Sequence, residues 1–159
     1  MKKILHLLES DATLTARQIA VMLEKEEAEV AADIAAARES GALLGMRAVV
    51  DWEKAGGDYV TAMIEVRVTP QRGEGFDRVA ERIYQYEEVQ SLYLMSGGYD
   101  FLVVITGRSL REVALFVSEK LSALESVTGT ATHFLLKKYK EGGVAYKTAP
   151  EQQERVLFI

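Results

Sequence analysis

A short polar run in the second half of the chain has the residue types that can hold a small amino acid. In Ser96-Gly97-Gly98-Tyr99-Asp100, two adjacent glycines let the backbone approach a ligand closely and leave N–H groups free to hold a carboxylate. Asp100 can pair with an ammonium group, while Ser96 and Tyr99 supply hydroxyls. A tight hairpin in which Asp100 bonds to its own backbone explains the same residues equally well. From these residues alone, both interpretations stay open.

The rest of the sequence contains no catalytic or metal-binding motif. The 159 residues include no cysteine, which excludes disulfides, thiolate metal sites and thiol catalysis. Two histidines are too few for a histidine-rich metal centre; we interpret His6 as a surface residue and His133 as an interface residue. Walker, dinucleotide-binding, H-E-x-x-H and G-x-S-x-G motifs do not occur. We therefore expect no enzymatic activity, no cofactor and no metal.

The composition is that of a globular protein outside the membrane. Hydrophobic residues make up 48% of the chain and charged residues 27%. No apolar run approaches the roughly 20 residues of a membrane-spanning helix. The N-terminus leads into an amphipathic helix without a cleavage site of small residues, so we expect a cytoplasmic protein. The net charge of −5 differs from that of a strongly basic nucleic-acid binder.

The elements that must position the polar run follow from the spacing of apolar residues. Over the first part of the chain this spacing is near 3.6, which predicts three short helices. The first contains Ile4 to Leu8. Thr15 and Gln18 predict a capping box at the start of the second. The third is predicted from about Glu26 to Ser40, with Gly41 as its C-cap.

An extended segment is expected after the third helix. Residues 43–51 are predicted to form a two-stranded wing, which together with the helices makes a winged helix-turn-helix. A hinge is expected at Gly56-Gly57-Asp58. We therefore assign residues 1–58 to a winged helix-turn-helix domain of the DNA-binding type and residues 59–159 to a second domain.

The second domain mixes the periods of strands and helices. Residues 59–68 alternate apolar and polar side chains, as in a half-buried strand. The predicted order is β-α-β-β-α-β, with helices at 76–84 and from Ser109, and strands at 89–95, 101–106 and 130–139. Two βαβ halves with helices on one face of an antiparallel sheet form a ferredoxin-like sandwich, so the fold class is α+β. Residues 144–146 are expected to add an edge strand, followed by a polar stretch at 150–155.

The order of these elements resembles the Lrp/AsnC family of bacterial and archaeal transcription regulators, in which a winged helix precedes a ferredoxin-like sensor domain. The most specific similarity is the glycine-rich turn Ser96-Gly97-Gly98-Tyr99-Asp100-Phe101-Leu102 between the second and third strands. Further similar stretches, in the same order and spacing as in the family, are residues 4–8, 15–20, 41–45, 50–56 and 128–137.

The resemblance implies a transcription regulator that binds double-stranded DNA and responds to a small amino-acid-like effector at the sensor-domain interface. It implies a homo-oligomer, in which dimers assemble to an octamer. It also favours the ligand interpretation of the turn, with effector-binding residues Ser96, Gly97, Gly98, Tyr99 and Asp100.

The third helix departs from the family pattern. Relatives usually place Arg or Lys in its middle, where Ala31, Ala32 and Asp33 stand here. Its one base is Arg38, and its acids are Glu26, Glu27, Glu29, Asp33 and Glu39. Phosphate neutralisation supplies most non-specific affinity for DNA, so this surface predicts weak DNA binding by a single domain.

Other bases must then contribute to any DNA contact. The candidates are Lys2, Lys3, Lys25, Arg38 and Arg47. Glu24 and Glu26 stand where relatives tend to have the turn glycine and a capping serine. The alternative function is an effector-binding or protein-interaction module whose DNA-reading helix has lost its basic residues.

Overall fold

The computed structural model describes residues 1–69 and 75–146. It divides into two compact units, Met1–Val49 and Val50–Ile159. Residues 50–58, which we assigned to the first domain from the sequence, therefore lie with the second unit. The reason is local packing: the Trp52 ring stands edge-on to Tyr59, with 5.8 Å between the ring centroids.

The first unit consists of the three predicted helices, α1 (Lys2–Ser10), α2 (Ala16–Leu23) and α3 (Glu27–Glu39). The predicted capping box begins α2: the Gln18 N–H donates to Thr15 Oγ1 at 3.2 Å, and the Thr15 N–H donates to Gln18 Oε1 at 2.8 Å. The core of this unit is formed by Ile4, Leu8, Ile19, Ala20 and Val30. The helical apolar spacing thus identified the three helices.

The two-stranded wing predicted over residues 43–51 was wrong for the described structure. Gly41, with φ of +72°, ends α3 as expected, and the Leu43 N–H then donates to the Ala37 carbonyl at 2.9 Å. Residues 44–50 continue without assigned strand structure. A strand requires a hydrogen-bonded neighbour, and within this unit the segment has none among the described residues. The Leu44 side chain is accordingly 94% exposed.

The second unit has the predicted βαββαβ order, so the ferredoxin-like fold is confirmed. Its main elements are β1 (Val60–Val68), α4 (Phe76–Tyr84), β2 (Val89–Leu94), β3 (Phe101–Gly107), α5 (Leu110–Phe116) with a π-helical turn (Val117–Leu121), and β4 (Val127–Phe134). The sheet order is β2-β3-β1-β4, and all neighbours are antiparallel. Ser109 caps α5, because its Oγ accepts the Glu112 N–H at 3.1 Å.

The two faces of the sheet differ in what covers them. Helices α4 and α5 pack on one face and bury alternate strand residues, which are Ala62, Ile64, Val66, Phe101, Val103 and Ile105. The residues between them point to the other side, which we call the open face. By strand register its side chains include Met63, Glu65, Tyr93, Leu102, Val104 and His133.

A separate hairpin follows β4. The short strands β5 (Lys140–Glu141) and β6 (Val144–Ala145) pair with each other, so the predicted edge strand around Val144 does not join the main sheet. The Tyr146 hydroxyl, directly after β6, donates to the Glu141 carboxylate at the end of β5, at 2.5 Å. The polar stretch at 150–155 lies outside the described residues. Across the described ranges, we find no helix long and apolar enough to span a membrane.

Candidate ligand site and DNA-reading surface

The glycine-rich turn connects β2 to β3 at the end of the sheet. Ser96, Gly97 and Gly98 are exposed, whereas Tyr99 and Asp100 are half-buried. The Met95 N–H donates to the Asp100 carbonyl at 2.7 Å and closes the turn. A Cβ atom built on Gly97 or on Gly98 would meet no atom within 4 Å, so the space beside both backbones is open. This is the accessibility that a ligand-binding turn requires.

The turn is held against the end of β1 by three hydrogen bonds. The Val68 N–H donates to Asp100 Oδ2 at 2.8 Å, and the Asp100 N–H donates to the Val66 carbonyl at 3.0 Å. Arg67 Nε donates to the Gly98 carbonyl at 3.1 Å. Asp100 therefore bonds to backbone, as the hairpin interpretation expects, but to the backbone of another strand. Its Oδ1 atom accepts no hydrogen bond from the described residues and can still receive a ligand's ammonium group.

A cavity of about 290 Å³ lies elsewhere on this unit, between α4 and the edge strand β2. Phe76, Tyr84, Leu94 and Phe101 contribute its apolar lining, and Asp77, Gln90 and Ser91 its polar lining. None of the five turn residues lines it. The cavity is therefore on the helix side of the sheet, separate from the predicted ligand site.

The histidines are paired with single carboxylates. His133 Nε2 lies 3.3 Å from Glu65 Oε1 on the open face, and His6 Nδ1 lies 3.4 Å from Glu9 Oε2 on α1. In the ranges 1–69 and 75–146, no cluster of three or more His, Cys, Asp or Glu side chains could hold a metal ion.

The turn between α2 and α3 has an unusual backbone. Glu24 adopts the left-handed conformation, with φ of 53° and ψ of 48°. The resemblance implies glycine at this position, and glycine alone adopts this conformation without a steric cost. Glu26 is the N-cap of α3, but its side chain makes no capping hydrogen bond. The helix-turn-helix is thus retained with unfavourable residues at its turn.

Alanine is the commonest residue type on the exposed surface of α3. Val30 and Ala37 are buried, whereas the exposed small residues are Ala28, Ala31, Ala32, Ala35 and Ala36. Asp33 is half-buried, and its Oδ2 lies 3.0 Å from the α-amino group of Met1. The Lys25 ammonium pairs with Glu29, which raises the pKa of Lys25. Methyl groups and paired charges therefore occupy the positions at which the resemblance implies free bases.

Comparison with known proteins agrees with this architecture. A family model described as the Lrp/AsnC ligand binding domain matches residues 61–145, more than half of the chain. The chain belongs to the Lrp/AsnC family. It is 46% identical to the HTH-type transcriptional regulator YugG of Bacillus subtilis, over 98% of this chain and 94% of that protein. This Lrp/AsnC protein is accordingly a transcriptional regulator. The alternative, an effector-binding or protein-interaction module whose DNA-reading helix has lost its basic residues, is not favoured.

Solved structures share the fold of this Lrp/AsnC protein. The structure of AsnC from Escherichia coli has a TM-score of 0.66 and 17% identity, and the match covers 87% of this chain and 91% of that one. A Neisseria meningitidis transcriptional regulator in complex with L-methionine has a TM-score of 0.70 and 19% identity, covering 87% and 89%. These likenesses establish the two-domain fold.

The candidate DNA contacts of this Lrp/AsnC regulator are only partly brought together. The predicted bases Lys2, Lys3, Lys25, Arg38 and Arg47 are all exposed. Of these, Lys2 and Arg47 line one cavity of about 590 Å³ between α1 and the segment at 42–47, where His6 and Glu9 also contribute. The other three do not line it.

Sequence reasoning missed Arg67 as a neighbour of the turn. In the sequence, Arg67 is one of the polar residues that alternate along β1. Its contact with Gly98 joins residues 31 positions apart. Only the register of β1 against β3, which local pattern does not encode, could have indicated this contact.

Proposed function

We propose that this regulator binds a small α-amino acid at the Ser96–Asp100 turn and changes its DNA binding in response. The main support is the combination of open space beside Gly97 and Gly98 with the available Oδ1 atom of Asp100. Backbone N–H groups attract a carboxylate, and a carboxylate attracts an ammonium group, so the turn complements both ends of an amino acid. The L-methionine in the Neisseria structure supports this ligand class.

We propose further that the protein assembles as a homodimer through the open faces of two sheets, and that dimers form larger even-numbered rings up to an octamer. Met63 and Tyr93 are 38% and 53% exposed on the open face, and the half-buried Leu102 and Val104 lie beside them. Keeping apolar surface in water costs about 25 cal/mol per Å². A second copy, which presents the same face, would remove this cost for both.

Assembly would also allow helix-turn-helix domains of low individual affinity to bind DNA together. Because α3 has few free bases, we expect the helix-turn-helix domain of one chain to have a low affinity for DNA. Several such domains joined in one oligomer bind the same duplex with a high effective concentration. The bases that would contact phosphate are Lys2, Lys3, Lys25, Arg38 and Arg47. We assign the protein to the cytoplasm, and we assign it no catalytic role.

The test is capture of fragmented DNA from the native genome by the purified full chain, followed by sequencing, at low and at physiological salt. Each capture is repeated with and without a mixture of the twenty amino acids. We expect a small set of enriched sites whose recovery changes with amino acids. Equal recovery of all fragments at low salt, unchanged by amino acids, would contradict the proposed function.

A further inference from the structure

Arg67 and Asp100 are side by side at the end of the β1–β3 ladder. Val66 and Phe101 are the last paired residues of the two strands, and both are buried beneath the helices. Arg67 follows Val66 on β1, and Asp100 directly precedes Phe101 at the start of β3. Because side chains alternate between the faces of a sheet, both belong to the open-face side at this end. A cation and an anion thus flank the glycine-rich turn.

These opposite charges do not neutralise each other. Among the ion pairs between described residues, none joins Arg67 to Asp100 within 4.0 Å. Arg67 instead donates through Nε to the Gly98 carbonyl at 3.1 Å, and Asp100 accepts through Oδ2 from the Val68 N–H at 2.8 Å. Each side chain is oriented by a backbone bond. The two terminal guanidinium nitrogens of Arg67 and Oδ1 of Asp100 have no hydrogen-bond partner among residues 1–69 and 75–146.

We propose that Arg67 binds the α-carboxylate of the amino acid, while Asp100 Oδ1 accepts the α-ammonium group. This assignment rests on the proposed effector site and adds a binding residue to it. A guanidinium presents parallel N–H groups that match the two oxygens of a carboxylate, and such charge-assisted bonds are about twice as strong as neutral ones. The two charges of an α-amino acid are attached to one carbon atom, so they suit a cation and an anion on neighbouring strands.

The assignment predicts which ligands the site should bind. A ligand must carry both charged groups, so an α-carboxamide, which has lost the carboxylate charge, should bind poorly. If Arg67 only supported the turn through its bond to Gly98, replacing Arg67 would displace the turn. The displaced turn would then lose affinity for the acid and for the amide to the same extent. The ratio of the two affinities therefore separates ligand contact from turn support.

The experiment is isothermal calorimetry of the full chain with each of the twenty L-amino acids, and with the α-carboxamide of each one that binds. For the wild type we expect the acid to bind at least about tenfold tighter than its amide. Arg67→Gln should lower the affinity for the amino acid by about the same factor and leave the affinity for its amide nearly unchanged. The ratio of the two affinities should therefore approach one. Arg111→Gln, which removes an exposed Arg from α5, is the matched control and should behave as the wild type.

Thermal unfolding of each variant checks that the second unit still folds. Arg67→Lys retains the positive charge but lacks the two parallel N–H groups of the guanidinium. We expect it to keep part of the preference for the acid over the amide. This variant provides a second test if Arg67→Gln unfolds. If Arg67→Gln weakens acid and amide equally, or only lowers the oligomer mass in light scattering, the assignment of Arg67 is overturned while the effector site stands. If none of the twenty amino acids binds the wild type, the effector site itself is refuted.

Discussion

The Lys120 ammonium contacts the Glu88 carboxylate and lies 5.1 Å from the centroid of the Tyr86 ring. Tyr86 in turn stands edge-on to Phe116, with 5.6 Å between the ring centroids. The ion pair therefore attaches the π-helical turn after α5 to the connection between α4 and β2. The hydrogen bond from Lys120 is the main reason why the pKa of Glu88 lies below its ordinary value.

Glu88→Gln should reduce the stability of the second unit at neutral pH by about 1 kcal/mol or less, because the pair is 31% and 38% exposed and partly screened. A lowered folded-state pKa means that the contribution of Glu88 is complete above its unfolded pKa, about 4.3, and is lost as the pH falls through the lower folded value. The difference between variant and wild type should thus shrink in acid. Urea unfolding between pH 7 and pH 3 measures it.

Glu87→Gln is the control for that series, since Glu87 is exposed next to the pair. Its effect should be near zero at every pH. A Glu88→Gln loss that stays constant down to pH 3 would mean that the pair contributes through packing and not through charge.

The carboxylate of Asp100 has a structural bond as well as its proposed ligand contact. Asp100→Ala removes the acceptor of the Val68 N–H and should destabilise the second unit by about 1–3 kcal/mol. Asp100→Asn keeps a side-chain oxygen for that bond and should cost less. Both should weaken amino-acid binding at least about tenfold, because the ammonium loses its charged partner. Calorimetry and urea unfolding are measured together, with the exposed Asp77→Asn as control; unchanged affinity for Asp100→Asn would refute the ammonium contact.

Glu24 is a residue whose replacement should stabilise the first unit. Its left-handed backbone costs a residue with a Cβ atom about 1–2 kcal/mol relative to glycine. Glycine also has more conformational freedom in the unfolded chain, which offsets part of this gain. Glu24→Gly should therefore stabilise the first unit by about 1 kcal/mol. Ala31→Gly, at an exposed position in the interior of α3, should destabilise by about 1 kcal/mol. Urea unfolding compares them; equal losses in both variants would show that the backbone of Glu24 is not left-handed in solution.

Helices and strands could be predicted because each is encoded in its own neighbourhood. The capping residues Thr15 and Gln18 are three positions apart, and the alternation around Ile64 extends over a single strand. The predicted wing over 43–51 was wrong for a related reason. Its residues favour extended backbone, but a local pattern does not contain information on whether a second strand lies alongside.

The same limit applies to the ligand site. The residue types of the turn left a ligand site and a plain hairpin open, the family resemblance favoured the ligand, and the effector-binding role stays a prediction. The bond between Asp100 and Val68, and that between Arg67 and Gly98, join residues 32 and 31 positions apart. These contacts follow from the register of β1 against β3, and a one-residue shift in that register would move the side chains of one strand to the opposite face.

The proposed dimer makes a direct prediction about mass. Light scattering at micromolar concentration should give the wild type at least twice the 17.6 kDa of one chain. Val104→Asp places a charge on the open face beside Met63 and should shift the protein toward monomer. Leu115→Asp, at an exposed position of α5, should leave the mass unchanged. A wild type of 17.6 kDa would eliminate the sheet-to-sheet assembly.

The last prediction concerns DNA, because the resemblance implies bases in the middle of α3 where this chain has Ala31, Ala32 and Asp33. Ala32 and Ala36 are exposed on α3 one turn apart, and Asp33 is avoided because it pairs with the Met1 amino group. Ala32→Arg with Ala36→Arg should tighten non-specific binding and steepen the slope of log affinity against log salt by up to about 2, since each neutralised phosphate adds about 0.9. Fluorescence anisotropy with a labelled duplex between 50 and 200 mM salt, roughly the range in which such slopes are read, gives both quantities.

Ala114→Arg in α5 is the control for added charge, because Ala114 is exposed in the second unit. It should change the slope far less than the paired variant, since the added base is not on the helix-turn-helix. Suppose that the wild type binds a specific site at nanomolar affinity in physiological salt and that the Ala32→Arg, Ala36→Arg variant binds no tighter. Then α3 is not the element that enters the major groove of the DNA. The contact would then lie at the bases on either side of the cavity beside α1, Lys2 and Arg47, and removing those two charges should abolish it.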